Sequence, residues 1–281
     1  MTSIAARTST TPPQTASQAR RRPDRILSAC GVLWFLTAAA GQWIFVYYVA
    51  AYYAPRLFQL GLPGLEDTIL PKGFIAGDLI GNLSAAFHVL IAIFIIGGGP
   101  LQLVPPLRNR FPVLHRIIGR VYVTAAVATS LAGLYMVWTR GTPGGLIGQI
   151  AISIDGALII AFAAIAVRFA MKRRIDKHRR WAMRLFMVVS AVWFFRIGLM
   201  FWFMTTGGIG IDAKTFEGPF LTFMYFAQMA LPLAVLQAYF NAQDGKAPGA
   251  KYAAAILVLF CTGITAAGIF AAAMGMWLPR I

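Results

Sequence analysis

Two short strings carry the densest chemistry in this sequence: His115-Arg116-Ile117-Ile118-Gly119-Arg120 and His178-Arg179-Arg180-Trp181-Ala182-Met183-Arg184. In each, a histidine is followed at once by an arginine and, a turn or so later, by another. On a helix Arg116 lies near Arg120 and Arg180 near Arg184, so both strings present paired cations suited to phosphate or anionic lipid headgroups. Neutral imidazole is also a ligand for haem iron. His115 and His178 on neighbouring helices would clamp one haem b axially, with nearby arginines neutralising its propionates. The plainer reading makes both histidines interfacial residues satisfied by water and lipid phosphate.

A second set of polar side chains stands within apolar runs: Gln42, His88, Asp155, Arg196 and Gln228. Polar groups in hydrocarbon are costly and usually face a cavity or one another. The surroundings of these residues are hydrocarbon by composition, because the 281 residues are 59% hydrophobic and only 12% charged. A soluble chain of this length would need far more polar surface.

The elements that must position both sets are apolar segments of roughly 20 residues, enough to cross a ~30 Å hydrocarbon core. Their pattern predicts an all-α, polytopic transmembrane bundle of about seven helices: Ala29 to Tyr53, Leu79 to Leu103, Ile117 to Trp138, Leu146 to Phe169, Ala182 to Thr205, Pro219 to Phe240 and Tyr252 to Met276. Residues 29–281 form one membrane domain. Residues 1–28, rich in Ser, Thr, Ala and Pro and ending in Arg20, Arg21, Arg22 and Arg25, are expected to be a disordered basic tail.

Lys and Arg gather in alternate connections, which places the amino terminus inside the cell and the carboxyl terminus outside. The formal net charge of +16 sits almost wholly in these short segments, so anionic headgroups on the inner face are the expected partner rather than nucleic acid. Cys30 and Cys261 lack any paired spacing, which gives no support to a disulfide framework or a zinc site. No Gly-rich phosphate loop and no nucleophile elbow is present.

Helix register gathers the second set into one layer. His88, Asp155 and Gln228 each lie nine positions into helices entering from outside, and Arg196 lies nine positions before the outer end of its helix. At 1.5 Å per residue all four reach about 14 Å below the outer boundary, with Gln42 close by at roughly 16 Å. An isolated arginine or aspartate there would cost on the order of 3 kcal/mol, so the expectation is an Asp155–Arg196 pair inside the bundle. The layer either fixes helix register or forms a midplane site that binds or passes a small solute or protons, with His88 as its titrating group. Asp78 and Asn82, one helical turn apart, are candidates for its outer entrance. Gly97-Gly98-Gly99-Pro100 marks a helix end or a hinge, and Pro232 predicts a kink.

Together with Gly99-Pro100-Leu101-Gln102, with His88 in the preceding helix and with Arg196 deep in the fifth, the two basic strings resemble an uncharacterised bacterial membrane-protein family, domain of unknown function 2306. The resemblance runs over about residues 82–196. It implies a multi-pass protein of the bacterial inner membrane and brings no established reaction. Three functional readings follow from the residues: a midplane solute or proton site, a haem-binding redox protein, and a scaffold or assembly factor with a basic, lipid-binding inner face.

Overall fold

In a computed structural model of the chain, residues 14–70, 72–212 and 214–281 are described, with side chains from Arg22 onward. Nine α-helices are found among them, and no strand beyond a single bridge between Asp212 and Glu217. They are α1 (Gln14–Leu60), α2 (Leu79–Leu103), α3 (Pro105–Arg110), α4 (Pro112–Arg140), α5 (Gly145–Met171), α6 (Ile175–Val189), α7 (Ala191–Thr206), α8 (Pro219–Asp244) and α9 (Pro248–Ala272). A 3₁₀ turn, Leu62–Leu65, follows α1, and a π turn, Ala273–Trp277, extends α9. Six of the helices are long and apolar enough to cross a membrane, and α6 with α7, bent by 52°, qualifies only as a pair, either a broken seventh span or a re-entrant one. Large apolar side chains such as Phe94, Leu131, Ile256 and Phe260 point outward, as expected where the surrounding solvent is lipid.

Neighbours in sequence pack as neighbours in space along α2, α4, α5 and α6, while α1 returns to pack on α9 and α9 on α7. Close approach rests on glycine. A Cβ on Gly268 would stand 2.6 Å from the Ile197 carbonyl oxygen, and one on Gly41 would stand 2.4 Å from Ile269. These contacts hold α9 against α7 and α1, in the manner of small residues in membrane helix interfaces.

The bounds expected for α2 are those found, whereas two other expectations change. The basic tail expected through Ser28 is helical from Gln14, with residues 1–13 outside the described part. Leu27, only 2% exposed, packs with Ala242, Ala254 and Ala255, and Asp24 pairs with Lys251, so apolar burial and an ion pair extend the helix. The fifth span, expected as one helix, breaks at Ser190. Gly97-Gly98-Gly99-Pro100 lies in the last turns of α2, and Pro232 lies within α8.

Candidate functional site: a histidine and arginine chamber

The two basic strings meet at one end of the bundle. Proline at its first position starts α4, where the missing amide would be unbonded anyway, and puts His115 in the first turn. The α5–α6 turn likewise puts His178 in the first turn of α6. His178 Nδ1 lies 2.9 Å from the Ala166 carbonyl oxygen on α5. A carbonyl only accepts, so Nδ1 carries the proton and donates, which leaves Nε2 with a free lone pair. His115 stands close enough to His178, Arg108 and Arg116 for their charges to bear on it.

Both imidazoles line a cavity of about 1880 Å³ that also takes in Gln102, Tyr122, Arg116 and Arg120. The Gly-Pro-Leu-Gln string builds one wall of it. Gly99 lies against the rings of Phe186 and Tyr122, and Gly119 faces the Gln102 side chain, whose Oε1 would be 3.0 Å from an added Cβ. Three buried polar atoms of the cavity lining have no hydrogen-bond partner among the described residues: Gln102 Nε2, His115 Nδ1 and the Tyr122 hydroxyl. Unpaired polar atoms in an apolar interior are costly, and these three belong to residues that line one cavity. Beyond this chamber the cavity continues along one face of α8 as an apolar groove past Leu236, Leu231, Met224 and Phe220.

The arginines of the two strings separate into two kinds. Arg116 and Arg120 are exposed and make no hydrogen bond or ion pair among the described residues. Arg180 forms a two-point ion pair with Asp244, one arm at 2.7 Å, and Arg184 donates to Gln237 Oε1 at 2.7 Å. Both also lie over the Phe240 ring. At Arg180 and Arg184, expected to face phosphate or lipid, α8 supplies a carboxylate, an amide and an aromatic face that engage both.

The midplane set does not converge. Gln42 donates to Ser190 Oγ at 2.9 Å, and Gln228 donates to the Tyr225 carbonyl on its own helix at 2.9 Å. Asp155, 7% exposed, makes no ion pair, and its Oδ1 is without a partner among the described residues. Arg196 donates to the Val192 carbonyl at 3.1 Å and sits 5.5 Å over the Phe45 ring. The expected Asp155–Arg196 pair is thus absent: helix packing leaves the carboxylate without a cation, while the guanidinium turns back to its own helix and lies over Phe45. His88 faces Gly133 and lies near Arg196.

At the opposite end of the bundle, Asp78 and Asn82 do not stand free as an entrance, because both are bound by Arg140. Arg140 donates to Asp78 Oδ2 (2.8 Å), Asn82 Oδ1 (2.6 Å) and the Lys72 carbonyl (2.8 Å), with its side chain 4% exposed. Asn82 also bridges Ile75 through both its amide nitrogen and its amide oxygen. No local pattern around Arg140 marks it as the anchor of this cluster. The 115, 119, 122 stripe on α4, spaced as one helical face, was the available signal for Tyr122 as a chamber residue.

Residues 85–215 match the model of a family described as predicted membrane protein (DUF2306), and the matched segment contains His88, the Gly-Pro-Leu-Gln string, both basic strings and Arg196. No curated protein and no solved structure matches the chain.

Proposed function

Taking as premise a multi-pass membrane protein whose central segment matches this family, we propose that it is a haem-binding redox protein, with haem b held between His115 and His178. The observation that carries the reading is the pair of imidazoles at one cavity, with His178 oriented through Nδ1 so that Nε2 is free to ligate. Hydrogen bonding of the second ring nitrogen to a carbonyl is the usual way a ligating histidine is held. The chamber walls are apolar, as a macrocycle requires, and Arg108 and Arg116 stand beside His115, where propionates would need cations. Haem bound this way supplies one-electron transfer. His115 and His178 would together hold the group, an arrangement suited to electron transfer. Exposed Arg116 and Arg120 put the chamber mouth at an anionic lipid surface, and the excess of Lys and Arg at this end makes it the cytoplasmic side of a bacterial inner membrane.

Haemin titrated into protein purified from haem-limited cells tests the reading. One equivalent is expected to bind with the spectrum of two-histidine ligation. His115→Ala and His178→Ala should each convert it to a five-coordinate form, and the double variant should lose binding. Equal stoichiometric binding by the double variant would contradict the assignment.

A further inference from the structure

The cavity at the histidine chamber is larger than one compact ligand fills. Pockets that enclose a single drug-sized molecule run to roughly 1,000 Å³. This one reaches about 1880 Å³, because it continues past the chamber along α8. From Phe220 to Gln243, α8 lines it with a side chain at every turn, through Met224, Leu231, Val235 and Tyr239, a length of about 34 Å at 1.5 Å per residue. That length matches the full ~30 Å hydrocarbon core rather than one leaflet of it.

The groove has a floor and an open side. α1 and α7 come up against α8 at glycine: a Cβ on Gly31 would stand 3.1 Å from the Tyr239 ring, and one on Gly198 would stand 2.6 Å from the Met224 methyl. From α9, Val258 and Thr265 line it and are buried. Val32, Leu36, Leu231 and Ile264 line it and are exposed, so it opens sideways toward lipid. At the far end the Trp202 and Phe220 rings stack at 4.2 Å. Charge lies at the other end. Among the described residues Arg108, Arg116, Arg120, Arg179 and Arg180 line the cavity against one carboxylate, Asp176. Arg180 is paired with Asp244, and Arg108 and Arg116 stand beside His115, where the haem reading puts propionates. Arg120 and Arg179 are exposed and make no hydrogen bond or ion pair among the described residues.

An occupant of the whole groove thus has an anionic head and an apolar tail long enough to cross the bilayer. A phospholipid anchored at the arginine end has acyl chains that stop near the midplane, ~15 Å in, and fills half of it. We propose that the groove binds a long-chain polyprenyl phosphate, with the phosphate at Arg120 and Arg179 and the isoprenoid chain along α8. The phosphate accepts charge-assisted hydrogen bonds from the two guanidiniums, and the chain covers the apolar side chains between Tyr239 and Phe220. This site goes beyond the haem reading and does not rest on it.

The test is native mass spectrometry of the full chain titrated with undecaprenyl phosphate, and separately with farnesyl phosphate, undecaprenol and phosphatidylglycerol. Undecaprenyl phosphate is expected to bind at one per chain and more tightly than the other three, which lack the long chain, the phosphate or the single bilayer-crossing tail. The double variant Arg120→Gln with Arg179→Gln should weaken both prenyl phosphates roughly tenfold or more. Ala227→Phe fills the groove about 24 Å from its arginine end, beyond the reach of a farnesyl chain, so it should weaken undecaprenyl phosphate and leave farnesyl phosphate unchanged. Retained farnesyl phosphate binding also reports that this variant is folded. Equal affinity for phosphatidylglycerol would make the groove an ordinary lipid site and overturn the proposal. Equal affinity for undecaprenol would remove the phosphate from it, equal affinity for farnesyl phosphate would remove the groove, and an unchanged affinity in either variant would contradict it as well. The comparison of the four lipids on the parent protein decides the matter even if the arginine variant folds poorly, and it reads the same way with or without haem.

Discussion

At Arg140 one guanidinium joins the end of α4, the start of α2 and the loop before it, through Asp78, Asn82 and the Lys72 carbonyl. Removing it leaves Asp78 and Asn82 without their shared partner in a nearly buried setting. Arg140→Gln is therefore expected to lower the unfolding midpoint by roughly 5 °C, read by a thermal melt, and to open the 61–78 segment to protease. The Gly81 amide and the Arg140 guanidinium hold the Asp78 carboxyl below its usual range. A carboxyl with a lowered folded pKa contributes stability at every pH above its unfolded value, near 3.9, and loses that contribution as pH falls through the folded value. Protease resistance of the segment should thus be flat from neutral pH down to about 4 and drop below it, whereas Asp78→Asn should start lower and lose this component of the pH dependence. The one-turn spacing of Asp78 and Asn82 was legible in the sequence. Their partner, 62 and 58 positions away, was not, because a short-range pattern carries no information about which distant side chain returns to it.

The break between α6 and α7 is the element that hydropathy misjudged. Composition averaged over 182–205 satisfies a single span, yet the chain turns by 52° at Ser190, where Gln42 of α1 donates to the serine hydroxyl and both side chains are 1% exposed. The bend thereby relies on a contact 148 residues distant in sequence. Ser190→Ala leaves a buried amide donor unpaired, with an expected cost of about 1–3 kcal/mol, whereas the double change Gln42→Leu with Ser190→Ala removes both polar partners and should recover part of that loss. Denaturant titration of Ser190→Ala, Gln42→Leu and the double variant checks this; additive losses would show that the bond does not couple the two helices. By contrast, the limits of α2 were readable from sequence, since an uninterrupted apolar run begins after a capping aspartate and ends before paired prolines. Asp155 and Arg196 were readable as polar residues within apolar runs, but which side chains each meets depends on how the helices pack.

Across the whole molecule, hydropathy conveyed the membrane bundle and its helix number, and the two basic strings marked the end that holds the chamber. The chamber itself required the fold, because Gln102, Tyr122, His115 and His178 come from three helices that only packing brings together. The proposed cytoplasmic placement of this end predicts that a periplasm-dependent reporter fused after Ile281 is active and that the same reporter fused in the 172–174 turn is silent. The reverse pattern would invert the bundle. The central claim is that the two imidazoles hold a haem, and the most direct measurement is a reduced-minus-oxidised optical spectrum of the protein purified from haem-replete cells, with haem quantified per chain. One haem per chain, with b-type bands that are lost when His115 and His178 are both alanine, is the predicted result; a folded, colourless protein from those cells would contradict it.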